Sequence, residues 1–385
     1  MTRCYLALLL GTAIALAACA GGAAPPSPTA PAAAPTSAPA AQPAAPPAAS
    51  APAAPIAPAP AASPAAAPTR PLTTVKIGML GLNMSNAGIY IANQKGYFRE
   101  QGIQLEDSRF DDSLKMIPLL SQGQLDVAAG GPGAAFYNAL VREPGLRIVA
   151  DKGNTAPGAE WAGVVIRKDL WDAGKRSLND LKGESIALVA PAGSQQIQLE
   201  KYLEPKLGLK PEDLNEVYMP FPDMAVALKN GAVAAAMPIE PGMTAIVKQG
   251  LGEIAYTADQ FEPNGQASML MFSAEMASRT ELANGFIIAY LKGVRDYVDA
   301  FKKKAPNRAE IVQLLVDLKV LANAAQADEL RYTGLNPNGY VNAEALKAAQ
   351  DWLAEKGLVK QKADLDKGID NRFVDNALKV LGEYK

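Results

Sequence analysis

The chain reads as an α/β protein of two lobes, each a mostly parallel sheet flanked by helices. Three observations predict this. Short strand-like runs alternate with short helical segments from Thr74 to Gly153, the alternation restarts at Ala162, and from Glu281 onward the pattern is helical alone. Strands separated by helices pair in parallel through right-handed crossovers, with helices on both faces of the sheet. The stretch after Leu72, about 300 residues, is long enough for two ordinary cores.

In order, TVKIGM (74–79) is a β-branched strand, and NAGIYIANQKGYF (86–98) has helical spacing with Asn86 at the cap position. GIQLEDSRF (102–110) is a second strand, and SLKMIPLLSQG (113–123) a helix ended by glycine. LDVAAGG (125–131) is a third strand, GAAFYNALV (133–141) a helix and LRIVADKG (146–153) a fourth strand. After the break come the strand AGVVIRKDL (162–170), a polar loop-like stretch (170–183) and the strand ESIALVA (184–190). A helix follows from Ser194 to Lys206, then EVYMPF (216–221), a helix across Met224–Lys229, AVAAAMP (232–238) and a helix near Thr244–Lys248. GEIAYTA (252–258) and ASMLMFSAE (267–275) are extended again, the Met/Leu spacing of the latter reading as core. Amphipathic helices then run through 286–301 and 311–322. The two cadences divide the chain into a first lobe (72–176 and 262–385) and a second (177–261), crossing out near Arg176 and back near Phe261. One large α/β enzyme domain is the competing organisation.

Ahead of the lobes the chain has a different character. Met-Thr-Arg, an apolar run from Tyr5 to Ala18 and then small residues follow the order of a secretory signal, too short to span a bilayer comfortably. Leu16-Ala17-Ala18-Cys19 is similar to a bacterial lipoprotein cleavage box, which implies a lipid on Cys19 after removal of residues 1–18. Cys4 is discarded with them, so the mature fold has no disulfide. Residues 19–71 are almost entirely Ala, Pro, Ser and Thr with Arg70 as their only charge. They cannot bury a core, and as polyproline II they reach on the order of 150 Å, a semi-stiff tether. No basic residue flanks a P-x-x-P core there, which argues against a proline-rich docking ligand.

Composition removes several function classes. The net charge is −2 with acids and bases interleaved, so nothing marks a nucleic-acid surface. The chain has no histidine and no cysteine beyond Cys19, which excludes Ser-His-Asp and Cys-His catalysis and the usual zinc ligand sets. Carboxylate chemistry remains possible, so an enzyme is disfavoured rather than excluded, and binding without turnover, metal or cofactor is expected.

The most specific stretch, GIYIANQKGYFREQGIQLE (88–106), resembles the early segment of bacterial solute-binding proteins for thiamine-pyrimidine precursors, nitrate, aliphatic sulfonates and taurine. LDVAAGGPGAAFYNAL (125–140), RIVADKG (147–153), PAGS (191–194) and GAVAAAMPIEP (231–241) continue the resemblance over about 72–310. It implies a two-lobed, type II periplasmic-binding-protein fold and a lipoprotein, monomeric and facing the periplasm or exterior, that delivers its ligand to an ABC permease and its ATPase. The superfamily's eukaryotic pyrimidine synthase uses its own histidine and cysteines, which this fold lacks. The Trp that often follows the first strand in pyrimidine binders is replaced by Gly81-Leu82-Asn83.

Ligands in open α/β sheets sit beyond the carboxyl ends of the strands, which directs attention to seven loops. Asn83, Ser85 and Asn86 offer donors and acceptors after the first strand, or simple helix caps. Gly131 in GGPG and Gly193, Ser194 and Gln195 in PAGSQ open helices whose backbone N–H groups suit an anion or carbonyl. Asp111, beside Asp112, suits an amine or a metal, or else the pair caps the next helix or faces solvent. Trp161 offers a stacking face, and Glu240, between Pro238 and Pro241, either accepts from a ligand or holds the hinge. Phe221, Tyr256 and Phe261 are weaker wall residues whose default is core packing. Lys152 is the one cation in these loops. That inventory favours a vitamin-like heteroaromatic, riboflavin or a thiamine-precursor pyrimidine, with a sulfonate, taurine or nitrate as the alternative. A carboxylate enzyme using Asp111, Asp112 or Glu240, and a sensor domain, are the readings from other classes.

Overall fold

Val75, Ile77 and Met79 alternate along Thr73–Leu80 (β1) and are all buried, the period-two pattern of a strand with a covered face. The computed structural model describes residues 71–385. The expectations for residues 1–18, Cys19 and the stretch to Arg70 lie outside the described residues. β1 pairs in parallel with Ile103–Phe110 (β2) and Val127–Gly130 (β3), and Arg147–Asn154 (β4) forms the far edge of the same sheet. The second sheet contains Gly163–Arg167 (β5), Ser185–Leu188 (β6), Asn215–Tyr218 (β7), Ala235–Ala236 (β8) and Gly252–Thr257 (β9). Gln266–Phe272 (β10) returns to the first sheet. The strand orders are β2-β1-β3-β10-β4 and β7-β6-β8-β5-β9, so the two lobes share one topology.

Both sheets are mixed. The strand that arrives from the opposite lobe, β10 in the first sheet and β5 in the second, lies antiparallel between its neighbours. This corrects the outgoing boundary. β5 belongs to the second sheet, so the chain crosses out through residues 155–162 rather than near Arg176, and back through 258–265. The β-branched run at 163–167 looks like a fifth strand of the first series by sequence, yet its partners are β8 and β9.

The first lobe has a core on each side of its sheet. Along β10, Leu270 and Phe272 point into one and Met269 and Met271 into the other. The helix Thr280–Phe301 is the spine of the first core, with thirteen of its 22 residues buried. It crosses the helix Ala87–Gln94 at a point where two glycines meet: a Cβ on Gly293 would lie 2.1 Å from the Gly88 carbonyl oxygen, and a Cβ on Gly88 2.5 Å from Val294. Only glycine permits that approach.

The C-terminal region is not helical throughout. Between the helices Arg308–Asp317 and Ala343–Glu355 lies an irregular segment that holds a 3-10 turn at Ala324–Asp328 and, after it, Pro337 and Gly339 at φ 84°. Its backbone covers the edge strand: Asp151 N–H donates to the Gly339 carbonyl at 2.8 Å and Asn154 N–H to the Gly334 carbonyl at 2.9 Å. Covering an edge this way removes an exposed row of backbone donors and acceptors.

Candidate functional site

The carboxyl ends of β1, β3 and β4 face those of β6 and β8 across a cleft between the lobes, and the lobes are closed upon it. Ala134 N–H donates to the Ala192 carbonyl at 3.0 Å, and Met84 N–H to the Glu240 carbonyl at 3.2 Å. Lys356 pairs with the buried Glu200 at 2.7 Å, and Lys248 pairs with Glu329. Each of these contacts joins one lobe to the other.

An inner chamber of about 50 Å³ remains between the lobes. Ser85, Ser113, Gly131 and Ser268 border it from the first lobe, Gly193, Ser194, Gln195 and Gln198 from the second, and Trp161 from the crossover. Phe221 and Ile239 are shared with an outer chamber of about 310 Å³ walled by Leu82, Phe110 and four prolines, with Asn83, Asp111 and Glu240 on its border. Of the ten sequence-predicted binding residues, six therefore meet in the inner chamber and three at the outer one.

Asn86 lies elsewhere. It is fully buried under the turn Met84–Asn86, where its Nδ2 donates to the Leu80 carbonyl and the Tyr90 hydroxyl, both at 3.0 Å. It braces the loop that carries Ser85 and borders neither chamber, which corrects its expected place in the site. Asn83 is the actual cap, its Oδ1 accepting from Ser85 N–H at 3.0 Å. Asp112 caps the next turn through Leu114 N–H at 2.8 Å, while the exposed Asp111 pairs with Lys115 at 3.0 Å. The Glu240 carboxylate is wholly buried. It accepts from the Thr244 hydroxyl at 2.6 Å and from Arg331 N–H at 3.2 Å, and burial raises its pKa. That makes it a brace between the lobes. Gln195 also spends its amide on backbone, accepting from Val189 N–H and donating to the Met237 carbonyl. The Trp161 indole N–H is held by the Asn154 carbonyl at 2.9 Å, which orients the ring along the chamber wall. Of the weaker aromatic candidates, Phe221 lines both chambers, whereas Tyr256 and Phe261 pack edge-to-face against Tyr202 inside the second lobe.

Three buried groups at or behind the chamber wall were not among the predicted site residues, and of them Gln198 alone lines the chamber. Lys152 is 0% exposed; its Nζ donates to the Ser85 hydroxyl at 2.7 Å and to the Ser268 hydroxyl at 3.3 Å, and both serines border the inner chamber. Burial pushes its pKa down to about 7, against the opposing field of Asp151. Asp151 is itself raised by burial to about 6, although Gln266, Asn154 and Asn336 N–H hydrogen-bond to it. The third is Gln198, 5% exposed, whose Nε2 has no partner among the described residues. The signals for Gln198 and Lys152 were present: Gln198 sits four residues after Ser194 on one helical face, and Lys152 follows the apolar run Ile148–Ala150 within a strand.

The helix Ser194–Tyr202 begins at the chamber with Gly193 as an N-cap that has no side-chain bond, leaving its first N–H groups to face the space. Among the described residues no cluster of His, Cys, Asp or Glu could hold a metal ion, and no helix is long and apolar enough to cross a membrane. The arrangement can hold a solute by hydrogen bonds from both lobes.

Known proteins resemble the chain in the same terms. The family model described as NMT1/THI5 like matches residues 83–300. A Bacillus subtilis (strain 168) protein that carries only the general name of a binding protein, YtlA, is 24% identical over 213 residues, 54% of this chain and 60% of its own length. The chain thus spans less than two thirds of that relative. Among solved structures, the alkanesulfonate-binding protein SsuA of Xanthomonas axonopodis pv. citri, bound to MOPS, superposes with a TM-score of 0.63 at 16% identity, covering 79% of this chain and all of that one. The periplasmic nitrate-binding protein NrtA of Synechocystis PCC 6803 gives 0.65 at 16% identity, over 81% and 89%. With two like-wound sheets hinged about one cleft, the chain has the fold of the periplasmic binding proteins, and it belongs to the NMT1/THI5-like family.

Proposed function

We propose that the protein is the solute-capturing component of an ABC-type importer. Its lobes close on a small ligand, and the closed form docks on a permease served by an ATPase. The observation that carries this reading is the inner chamber itself: six predicted residues from both lobes and the crossover border one enclosed space behind a two-segment hinge. A ligand touching both lobes binds the closed state better than the open one, which is the condition for driving closure. In this reading Cys19 bears the lipid, the Ala/Pro-rich stretch is the leash, and the monomer works outside the cytosol at the membrane surface.

Within that role the ligand is a small anion. The unbonded N–H groups at Gly193–Ser194, the free amide of Gln198 and the lysine behind Ser85 and Ser268 all offer positive potential to a compact head. The apolar outer chamber suits a short tail. The similar proteins SsuA, alkanesulfonate-binding, and NrtA, nitrate-binding, point the same way. A heteroaromatic such as riboflavin or a thiamine-precursor pyrimidine is the second reading, favoured by the Trp161 and Phe221 rings at the chambers.

A thermal-shift screen of the purified protein against alkanesulfonates, taurine, nitrate, flavins and pyrimidines tests both. A ligand at 100 times its Kd adds about 2.7 kcal/mol of stability. A panel that leaves the melting temperature untouched, or a ligand recovered chemically changed, refutes capture for transport.

A further inference from the structure

The capture reading leaves a fully buried lysine unexplained, and the inference drawn from it rests on that reading. We infer that Lys152 is the specificity-determining residue of the inner chamber: through Ser85 and Ser268 it sets a positive charge behind the chamber wall and admits anionic heads.

The geometry is asymmetric. Lys152 Nζ has two hydrogen-bond partners, and both are neutral hydroxyls. The Ser85 hydroxyl passes its own proton to Asn83 Oδ1 at 2.7 Å, so that branch ends inside the protein. Ser268 accepts from Lys152 and borders the chamber, so its proton is available to a ligand acceptor. Gln198 Nε2, buried and without a partner among the described residues, borders the same space from the second lobe. Two donors from opposite lobes therefore flank the chamber, one of them polarised by a cation.

The field of Asp151 favours the charged lysine, but no ion pair joins the two side chains and both Lys152 hydrogen bonds go to hydroxyls. On its own strand, Asp151 is turned to Gln266 Nε2 at 2.7 Å and Asn336 N–H at 2.8 Å. The turn Met84–Asn86 and β10 carry no titratable side chain. The spine helix contributes Tyr290, which donates to the Asp151 carbonyl at 2.8 Å. Glu240, whose backbone meets Met84, is engaged by Thr244 and Arg331 N–H. A buried charge without a directly paired counter-ion is costly, and an arriving anion adds to the field of Asp151. Burial also depresses the lysine to about 7, so the ligand-free protein is largely protonated below that pH and largely neutral above it. Anion binding restores the proton.

The test is calorimetric titration of the full-length chain in mild detergent with ethanesulfonate, nitrate, neutral ethanesulfonamide and riboflavin, at pH 6, 7.5 and 9. The expected result is ethanesulfonate or nitrate affinity flat below pH 7 and falling about tenfold per pH unit above it, with heats that reveal proton uptake. Lys152→Met should lose at least a hundredfold for the anion and none for the sulfonamide. Ser268→Ala, which keeps the cation, should weaken binding about tenfold and leave the pH profile in place; it serves as the second variant should Lys152→Met fail to fold. A pH-independent affinity, or equal anion binding by Lys152→Met, overturns the inference. Riboflavin bound with both anions refused overturns it while capture stands; refusal of every solute removes the capture reading beneath it.

Discussion

Gly133→Ala should block closure without harming either lobe. Gly133 is the N-cap of the helix Ala134–Arg142, with φ −158°, an extended conformation open to any residue. A Cβ built there would lie 2.8 Å from the Ala192 carbonyl oxygen, 3.4 Å from Gly193 Cα and 3.4 Å from a Leu114 methyl. The first two atoms belong to the second lobe. Ordinary contact begins near 3.4 Å, so the methyl is 0.6 Å too close to backbone that cannot rotate away. Overpacking of this kind costs about 1–3 kcal/mol. The whole cost falls on the closed form, because opening the cleft relieves it. The ratio of closed to open molecules should drop about 5- to 150-fold, and ligand affinity with it. Denaturant unfolding should move by less than about 0.5 kcal/mol. Small-angle scattering with and without ligand reads the closure, and calorimetry reads the affinity. A variant that closes and binds like the parent would refute the reasoning. Gly131→Ala is the contrasting case: its Cβ would meet Ser194 Oγ at 2.7 Å but also the Ala267 carbonyl of its own lobe at 2.9 Å, so it should lose stability as well.

Gly293→Ala, by contrast, places a methyl 2.1 Å from the Gly88 carbonyl inside one lobe. It should cost about 3 kcal/mol or more and lower the Tm by several degrees in calorimetry; an unchanged Tm would mean the helices are not in register there. Asn86→Ala strips hydrogen bonds from the Leu80 carbonyl and should cost about 1–3 kcal/mol of stability, whereas Ser194→Ala should leave urea unfolding unchanged and weaken binding. The pH dependence of the ligand-free protein follows from the buried pair. Lys152, depressed to about 7 against its ordinary 10.5, binds fewer protons folded than unfolded between those values, so its destabilising contribution is full below pH 7 and relieved as the pH rises. Asp151, raised to about 6 against 3.8, binds more protons when folded across that window, so its cost grows from pH 4 to 6. Urea unfolding from pH 7 to 9 should show stability rising, and Lys152→Met should flatten that slope.

The strands were legible because β-branched and alternating apolar runs mark them locally, and the glycine-opened helices because a missing side-chain cap leaves a recognisable turn. The placement of β5 was not. Which sheet a strand joins depends on pairing with β8 and β9, at positions 235–236 and 252–257, and no local pattern encodes that distance. The irregular segment before Ala343 was misread as helix because its isolated apolar residues mimic helical spacing, while Pro337 and Gly339 carried the opposite signal. Ser85, Ser194 and Trp161, picked by asking what stands past a strand end, border the inner chamber. Asn86 followed the same rule and failed, since a loop amide can turn inward to hold backbone carbonyls as readily as outward. Lys152 was noted for its charge alone. Its importance comes from a side chain that runs inward beneath two serines, and direction within a crossover strand is a tertiary property.

The second lobe enters on β5 and leaves on β9, and these two strands lie side by side, with Gly163 opposite Thr257. Residues 163–257 are thus a cassette whose two ends sit a single strand-spacing apart, about 4.8 Å. A gene could exchange that segment for a homologue's in one recombination event, retuning half of the ligand contacts while every residue of the C-terminal helices stays untouched.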